Sequence, residues 1–317
     1  MERMKELIRL LNEAAKAYYQ ESREIMPNYE YDRLYDELEE LERKTGITLS
    51  NSPTIRVGYE VLSDLPKEKH PKKMLSLDKT KDVGALAAWL GSQEGVLSWK
   101  LDGLTIVLTY EEGKLAKAVT RGNGEIGEVI TSNARTFENL PLAIDFKGEL
   151  VLRGEAVISY ADFEKINDEI TDEGAKYKNP RNLCSGSVRQ LNNEITAQRH
   201  VQFFAFSLVS ADGVEFKTRN EQFDWLTERG FQVVEHVSVN AKTISDAVSA
   251  FEAKIADNPV PSDGLVLSYN DIEYGRSLGE TAKFPRDSIA FKWQDEIKET
   301  TLREIEWSAS RTGLINP

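Results

Sequence analysis

A single cysteine, Cys184, stands in the whole chain of 317 residues. One thiol can build neither an internal disulfide nor a cysteine-based zinc site, and it reads as a small buried side chain rather than a nucleophile. Long apolar runs are missing too. The opening stretch MERMKELIRLLNEAAKAYY interleaves charge with hydrophobic residues, which excludes a signal peptide or a spanning helix there. A reducing, cytoplasmic setting without membrane contact is the expectation. Basic residues are in deficit, 40 against 53 acidic, for a net charge of -13. A surface that wraps nucleic acid needs clustered Lys and Arg, so any DNA contact is expected to be local. Internal repeats, low-complexity tracts and coiled-coil heptads are absent. The bulk composition, 40% hydrophobic and 29% charged residues, is ordinary folded material, and the length favours two domains over one core.

Two helices open the chain. Met4, Leu7, Ile8, Leu11, Ala14, Ala15, Tyr18 and Tyr19 recur at helical spacing, and Tyr31, Leu34, Tyr35, Leu38 and Leu41 share a face of the next segment. Asn28 is the expected N-cap of the second helix, and Gly46 its stop. A Pro-punctuated stretch from Leu49 to Lys72 links this hairpin to the main domain. From Gly95 onward the texture changes to strands, with candidates at Leu104 to Tyr110, Lys114 to Thr120, Glu149 to Ile158, Val201 to Val209, Gly264 to Tyr269 and Ser288 to Trp293. Helical patterns fall near Asp162 to Asn167, Asn182 to Leu191, Glu221 to Arg229 and Ser245 to Ile255. The interleaving suggests an α+β domain rather than a regular βαβ array.

Side chains alternate across a strand. In Val96 to Leu101, the residues Leu97, Trp99 and Leu101 therefore share one face, and Val96, Ser98 and Lys100 the other. The same split sets Leu265, Leu267 and Tyr269 against Val266 and Ser268, and Ile289, Phe291 and Trp293 against Ala290 and Lys292. If these strands are neighbours, their bulky faces bury a core while their small and polar faces floor a nucleotide-sized pocket. Lys100 is followed at once by Asp102-Gly103, a turn expected to set a carboxylate beside the amine. A lysine among cations can lose its proton more readily and act as a nucleophile. Thr120 to Glu128 is a glycine-rich loop led by Arg121, a residue suited to phosphate oxygens. Arg153-Gly154-Glu155 and the stretch from Asn179 to Leu191, with Arg181 and Arg189, add further charge. Taken singly, each has a plain reading as a surface ion pair, a flexible turn or a solvated helix.

In order and spacing, these segments resemble the bacterial NAD-dependent DNA ligases over essentially the whole chain. KLDG at 100–103 looks like the family's nucleophile motif. TRGNGEIGE, LRGE, the NPRN-to-RQL stretch, SDGLVL at 262–267, SIAFKW at 288–293 and MLSLD at 74–78 fall in register with it. The resemblance implies a small helical domain at 1–66 that holds the nicotinamide mononucleotide half of NAD. An ATP-grasp-like nucleotidyltransferase domain of antiparallel sheets with flanking helices would come next, at 67–303. The start of the linker to a truncated OB domain would occupy 304–317, where Arg311-Thr312-Gly313 resembles its entry.

The resemblance also implies roles. Lys100 would attack the α-phosphate of NAD to form lysyl-AMP. Asp102 and Glu155 would orient the ribose and position the amine or a metal, and Arg121 and Lys292 would stabilise the transferring phosphoryl group. Leu75, Ser76, Phe206 and Val266 would surround the adenosine, with Arg181 and Arg189 supporting the site or contacting DNA. Tyr18, Tyr19, Tyr31 and Asp32 would clamp the nicotinamide half, although helix packing also accounts for such tyrosines. Mg²⁺ is implied as a cofactor, nicked double-stranded DNA as the partner of the full-length protein, and a monomer as its state. Three positions depart from the family: Ser98 where a glutamate contacts adenine, Ser268 where a lysine lies near the phosphate, and Asn28 where an aspartate is usual. Losing a transition-state cation costs on the order of 3 kcal/mol, roughly a hundredfold in rate. Two other readings fit part of the pattern: an ATP-using ligase or capping-type enzyme, and a degenerate paralogue that binds NAD or a protein partner without chemistry.

Overall fold

The computed structural model describes residues 1–21, 25–55 and 64–293 and, near the C-terminus, 301, 303–305, 307–309 and 315–316. The side chains of residues 15–21, 28, 29, 32, 173, 309 and 316 lie outside the described set. Helices α1 (Glu2–Glu21) and α2 (Asn28–Thr45) form the expected hairpin. Met4, Leu7, Ile8 and Leu11 recur every three or four residues and bury against Leu34 and Leu38, as a helix with one apolar stripe must. The cap differs from expectation: Pro27 occupies the N-cap position and Asn28 is already helical. The Pro27 carbonyl accepts from the amides of Glu30 at 2.9 Å and Tyr31 at 3.1 Å, so the proline, its φ fixed by the ring, sets the entry. Gly46 ends α2 in the left-handed region at φ 67°, a conformation that costs glycine little.

The strands up to residue 293, in chain order, are β1 (Thr48–Leu49), β2 (Lys67–Lys69), β3 (Asp78–Thr80), β4 (Gly95–Leu101), β5 (Leu104–Glu111), β6 (Lys114–Thr120), β7 (Ile126–Glu128), β8 (Pro141–Ala143), β9 (Leu150–Val157), β10 (Gln202–Ala211), β11 (His236–Val239), β12 (Ser262–Tyr269) and β13 (Ser288–Phe291). They build two main sheets, β1-β8-β6-β5-β9-β10 and β11-β4-β12-β13-β3, beside a small β2-β7 pair. β1 pairs with β8 and so ties the helical hairpin to the first sheet. Pairing is antiparallel except between β13 and β3, which makes the second sheet mixed rather than purely antiparallel. β3 sits at its edge, and the helix Val83–Leu90 carries the chain from there to β4; such a crossover frees a strand from hairpin geometry. That helix is not among those expected from the sequence. Asp82 caps it, with Oδ1 accepting from the Gly84 amide at 2.8 Å.

Each sheet buries one face. Ile106, Leu108, Leu152, Ala156 and Phe203 join one core, while Leu97, Trp99, Leu265, Leu267 and Phe291 join the other. The alternation expected for β4, β12 and β13 holds, and their small and polar residues face a cleft shared with the first sheet. β4 and β5 belong to different sheets, so the Asp102-Gly103 turn is the joint between them. A Cβ on Gly103 would lie 1.9 Å from the Ala156 carbonyl oxygen, so only glycine lets this joint press onto β9. Replacing Gly103 with Ala should destabilise the fold by about 1–3 kcal/mol, the usual cost of forcing an atom into packed space. Urea denaturation followed by circular dichroism checks this; an unchanged midpoint would contradict it.

Candidate active site

The cleft between the sheets measures about 560 Å³. It is lined by Leu75, Ser76, Ser98, Lys100, Asp102, Arg121, Glu155, Arg181, Phe206, Val266 and Lys292. Residues spread over more than two hundred positions of sequence thus meet in one hollow. Its lining holds nine basic side chains (Lys72, Lys73, Lys79, Lys100, Arg121, Arg153, Arg181, Arg219 and Lys292) and four acidic ones (Asp102, Glu155, Glu280 and Asp287). A chain of net charge -13 therefore concentrates positive charge at one concave place, where an anion is drawn.

Lys100 projects from β4 and Lys292 follows β13, with β12 between them. Both amines reach the same carboxylate. Lys100 Nζ donates to Asp263 Oδ1 at 2.7 Å and Lys292 Nζ to Oδ2 at 2.8 Å. Asp263 is the extra residue of a β-bulge, since Ser262 pairs with Leu101 and Gly264 with Lys100. A bulge re-aims a side chain that strict alternation would send to the other face. Burial pushes the Asp263 carboxyl up, but hydrogen bonds from the two lysines outweigh it and hold the group below its usual range. The carboxylate beside the nucleophile candidate is therefore Asp263, not Asp102 as expected. Asp102 turns instead to Arg181, whose Nη1 donates to it at 2.8 Å.

Glu155 lies across the cleft on β9, half-buried, and is no surface ion pair with Arg153. Thr105 Oγ1 donates to it at 2.8 Å and the Gly103 amide at 3.2 Å. Burial raises its carboxyl to about 7, and these hydrogen bonds and the charge on Lys100 pull back only part of that rise. Arg121 is held over the cleft by the segment that leads into β3: Nη2 donates to Ser76 Oγ at 3.0 Å and to the Met74 carbonyl at 3.3 Å. Gly122, at φ 56°, turns the loop after Arg121 where a Cβ would lie 1.9 Å from the Ile126 carbonyl oxygen. Phe206 sits at a bulge of β10, between Ala205 and Ser207, and the extra residue lets both Phe206 and Ser207 reach the cleft.

Some expected site residues fall elsewhere. Arg189 pairs with Glu128 at 2.8 Å and does not line the cleft. Tyr31 packs onto the helical hairpin and stacks on Tyr35 with ring centroids 6.3 Å apart. The side chains of Tyr18, Tyr19, Asn28 and Asp32, and the Arg311-Thr312-Gly313 segment, lie outside the described residues. Ser268 pairs with Val96, four residues along β4 from Lys100 and so roughly 13 Å away. It belongs to the inner end of the cleft beside Ser98, not to the phosphate end as expected, because antiparallel pairing runs β12 away from Lys100. Its hydroxyl meets that of Ser288 at 2.8 Å. Among the described residues, no group of three or more His, Cys, Asp or Glu is placed to hold a metal ion. Asp102 is committed to Arg181 and Asp263 to two lysines, so the cleft has no ready-made carboxylate cage, and a Mg²⁺ ion here would be held largely by the nucleotide's own phosphates and water.

The raised Glu155 carboxyl has a measurable consequence. Folding favours its protonated form, so the contribution is fully present below about 4.5 and lost as pH rises through about 7. Wild type should lose on the order of 3 kcal/mol relative to Glu155→Gln across that window. Denaturant midpoints of both proteins between pH 4.5 and 8 test this; parallel curves would contradict it.

Comparison with known proteins identifies the family. Residues 62–296 match the family model of the NAD-dependent DNA ligase adenylation domain. Residues 1–58 match that of the DNA ligase-like N-terminal NAD+-binding domain. A DNA ligase of Ruminiclostridium cellulolyticum is 67% identical over 315 residues, covering 99% of this chain and 48% of the relative. One from Lachnoclostridium phytofermentans is 66% identical over 317 residues, covering 100% and 48%. A third, from Alkaliphilus metalliredigens, is 36% identical over 330 residues, covering 100% and 49%. The chain spans about half the length of these curated relatives. An archaeal ATP-dependent RNA ligase overlaps far more loosely, with a TM-score of 0.41 at 13% identity over 70% of this chain and 48% of that one. Family models that between them span nearly the whole length, together with relatives this close, leave one assignment: the chain belongs to the NAD-dependent DNA ligases and carries their NAD-binding and adenylation domains.

Proposed function

We propose that Lys100 is the nucleophile that takes AMP from NAD in the first step of sealing nicks in double-stranded DNA. The amine adds to the α-phosphorus, a nitrogen–phosphorus bond forms, and the pyrophosphate oxygen–phosphorus bond breaks to release nicotinamide mononucleotide. The observation that carries this reading is the shared carboxylate: Asp263 gathers Lys100 and Lys292 at one point of a cationic cleft. When the dinucleotide enters, Lys292 can transfer its hydrogen bonds from Asp263 to the α-phosphate while Lys100 is left facing phosphorus. Arg121 would grip the same phosphates from the opposite wall. Glu155, poised near neutrality, is the group suited to take the proton the amine must shed before attack. Asp102, fixed by Arg181, would orient the ribose, and Leu75, Ser76, Phe206 and Val266 would enclose the adenosine. Tyr18, Tyr19, Tyr31 and Asp32 remain the candidates for the nicotinamide half.

The position of Ser268 and Ser98 weighs against a binding-only paralogue, since neither substitution removes a cation from the phosphate end. In the longer protein, a monomer working in the cytoplasm, the AMP would pass to a DNA 5′-phosphate at a nick. The net negative charge of this part implies that most DNA contacts come from other regions.

Incubating the chain with NAD and Mg²⁺ should add the mass of one AMP, and ATP should add nothing. Lys100→Ala should abolish the gain, and Asp263→Asn should slow it at least about tenfold, since two amines lose their anchor. Intact-mass spectrometry reads all four results. No adduct from NAD, or equal labelling from ATP, would overturn the assignment.

A further inference from the structure

Arg153 has no part in the transfer chemistry, yet it lines the same cleft. It shares a face of β9 with Glu155 and stands two residues farther from the nucleophile. Its Nε is sealed from solvent and has no hydrogen-bond partner. Burial and the nearby Arg121 both work against its charge, and only Asp287 favours it. An Nε closed to water is closed to a ligand as well, but the guanidinium it belongs to lines the cleft, so its terminal Nη donors are the ones that meet an acceptor arriving with the ligand.

The level at which Arg153 sits decides which acceptor fits. Lys100, Lys292 and Arg121 mark the phosphate end. Arg153 pairs in register with Ser207, next to the bulged Phe206, whose ring is the aromatic face available to a base. The floor at the inner end carries no charge of its own. Ser98 lies in register with Val266, and Ser268 with Ser288. Behind them Asp287 is already engaged, by Arg219 Nη2 at 2.6 Å and by Ser288 Oγ at 3.1 Å. Hydroxyls donate or accept as the partner requires, so this floor does not choose between an amino and an oxo group. Arg153 does choose. Its fork only donates, and the paired acceptors O6 and N7 of a 6-oxopurine match it, whereas adenine offers N7 beside an amino donor.

We propose that Arg153 is the base-reading residue of this cleft, and that the cleft takes 6-oxopurine nucleotides as well as adenine nucleotides. The proposal rests on the nucleotide reading of the site, but not on the transfer step. Its test is therefore binding: calorimetric titration of AMP and IMP into the whole 317-residue chain, into Arg153→Met, and into Arg153→Lys. Wild type should bind IMP within about tenfold of AMP. Arg153→Met should weaken IMP about tenfold more than AMP, and Arg153→Lys, which keeps the charge but loses the fork, should fall between. Wild type that binds AMP but discriminates against IMP a hundredfold or more would overturn the proposal. So would equal weakening of both nucleotides in Arg153→Met with full recovery in Arg153→Lys, because that pattern marks a phosphate contact. Binding of neither nucleotide by wild type would overturn the proposal together with the nucleotide reading. Normal titrations with no adduct from NAD would remove only the transfer step. Thermal melting of each variant separates lost binding from lost fold.

Discussion

Asp263 bridges two ammonium groups at once, from the middle strand of three. Lys100 comes to it from β4 on one side and Lys292 from the end of β13 on the other. Like charges two strands apart repel, and in a half-buried setting water screens that repulsion poorly. Without the carboxylate, the amines would swing apart toward solvent, and the cleft floor would lose the alignment that gives it chemical meaning. The bulge that aims Asp263 upward is thus a small backbone irregularity on which the whole site depends. Two further pairs lie around it, Asp102 with Arg181 and Arg219 with Asp287, while burial raises the Glu155 carboxyl to about 7.

Overall charge and local charge point in opposite directions here, and the local one decides. An acidic exterior lowers the affinity of the fragment for polyanions in general, while the cationic cleft retains a short-range attraction for a single dinucleotide. Selectivity for a small anion over a polymer comes from the concavity, because a duplex cannot enter a hollow of about 560 Å³. Nucleic acid would have to approach along the rim.

Most of the architecture is legible in the sequence where period alone carries the signal. The two-residue alternation of β4, β12 and β13 separates core from floor correctly, and the apolar stripe of α1 and α2 foretells their packing. Motifs point to the nucleophile candidate and its opposing cation. The hidden features are those that require register or irregularity. Asp263 lies within a recognised motif, but alternation assigns it to the core face with Leu265, and only the bulge contradicts that. Ser268 is misplaced at the phosphate end because sequence alone says nothing about which end of an antiparallel partner it faces. Asn28 looks like a cap by residue type, whereas the preceding proline already fixes the turn. The helix Val83–Leu90 is invisible to periodicity because VGALAAWL is apolar on all sides and lacks the stripe that marks a half-exposed helix. Arg153 cannot be singled out at all, since a missing partner is visible only in three dimensions.

Cys184 is fully buried, and its thiol donates to the Ala156 carbonyl at 3.1 Å. Burial, with a lesser push from Glu155, also raises its pKa well above the ordinary range. A sulfur kept protonated and out of reach is a poor target for oxidants and alkylating reagents. The chain consequently carries its own built-in gauge of integrity: a maleimide dye would stay unreacted on intact molecules and mark only those that have opened.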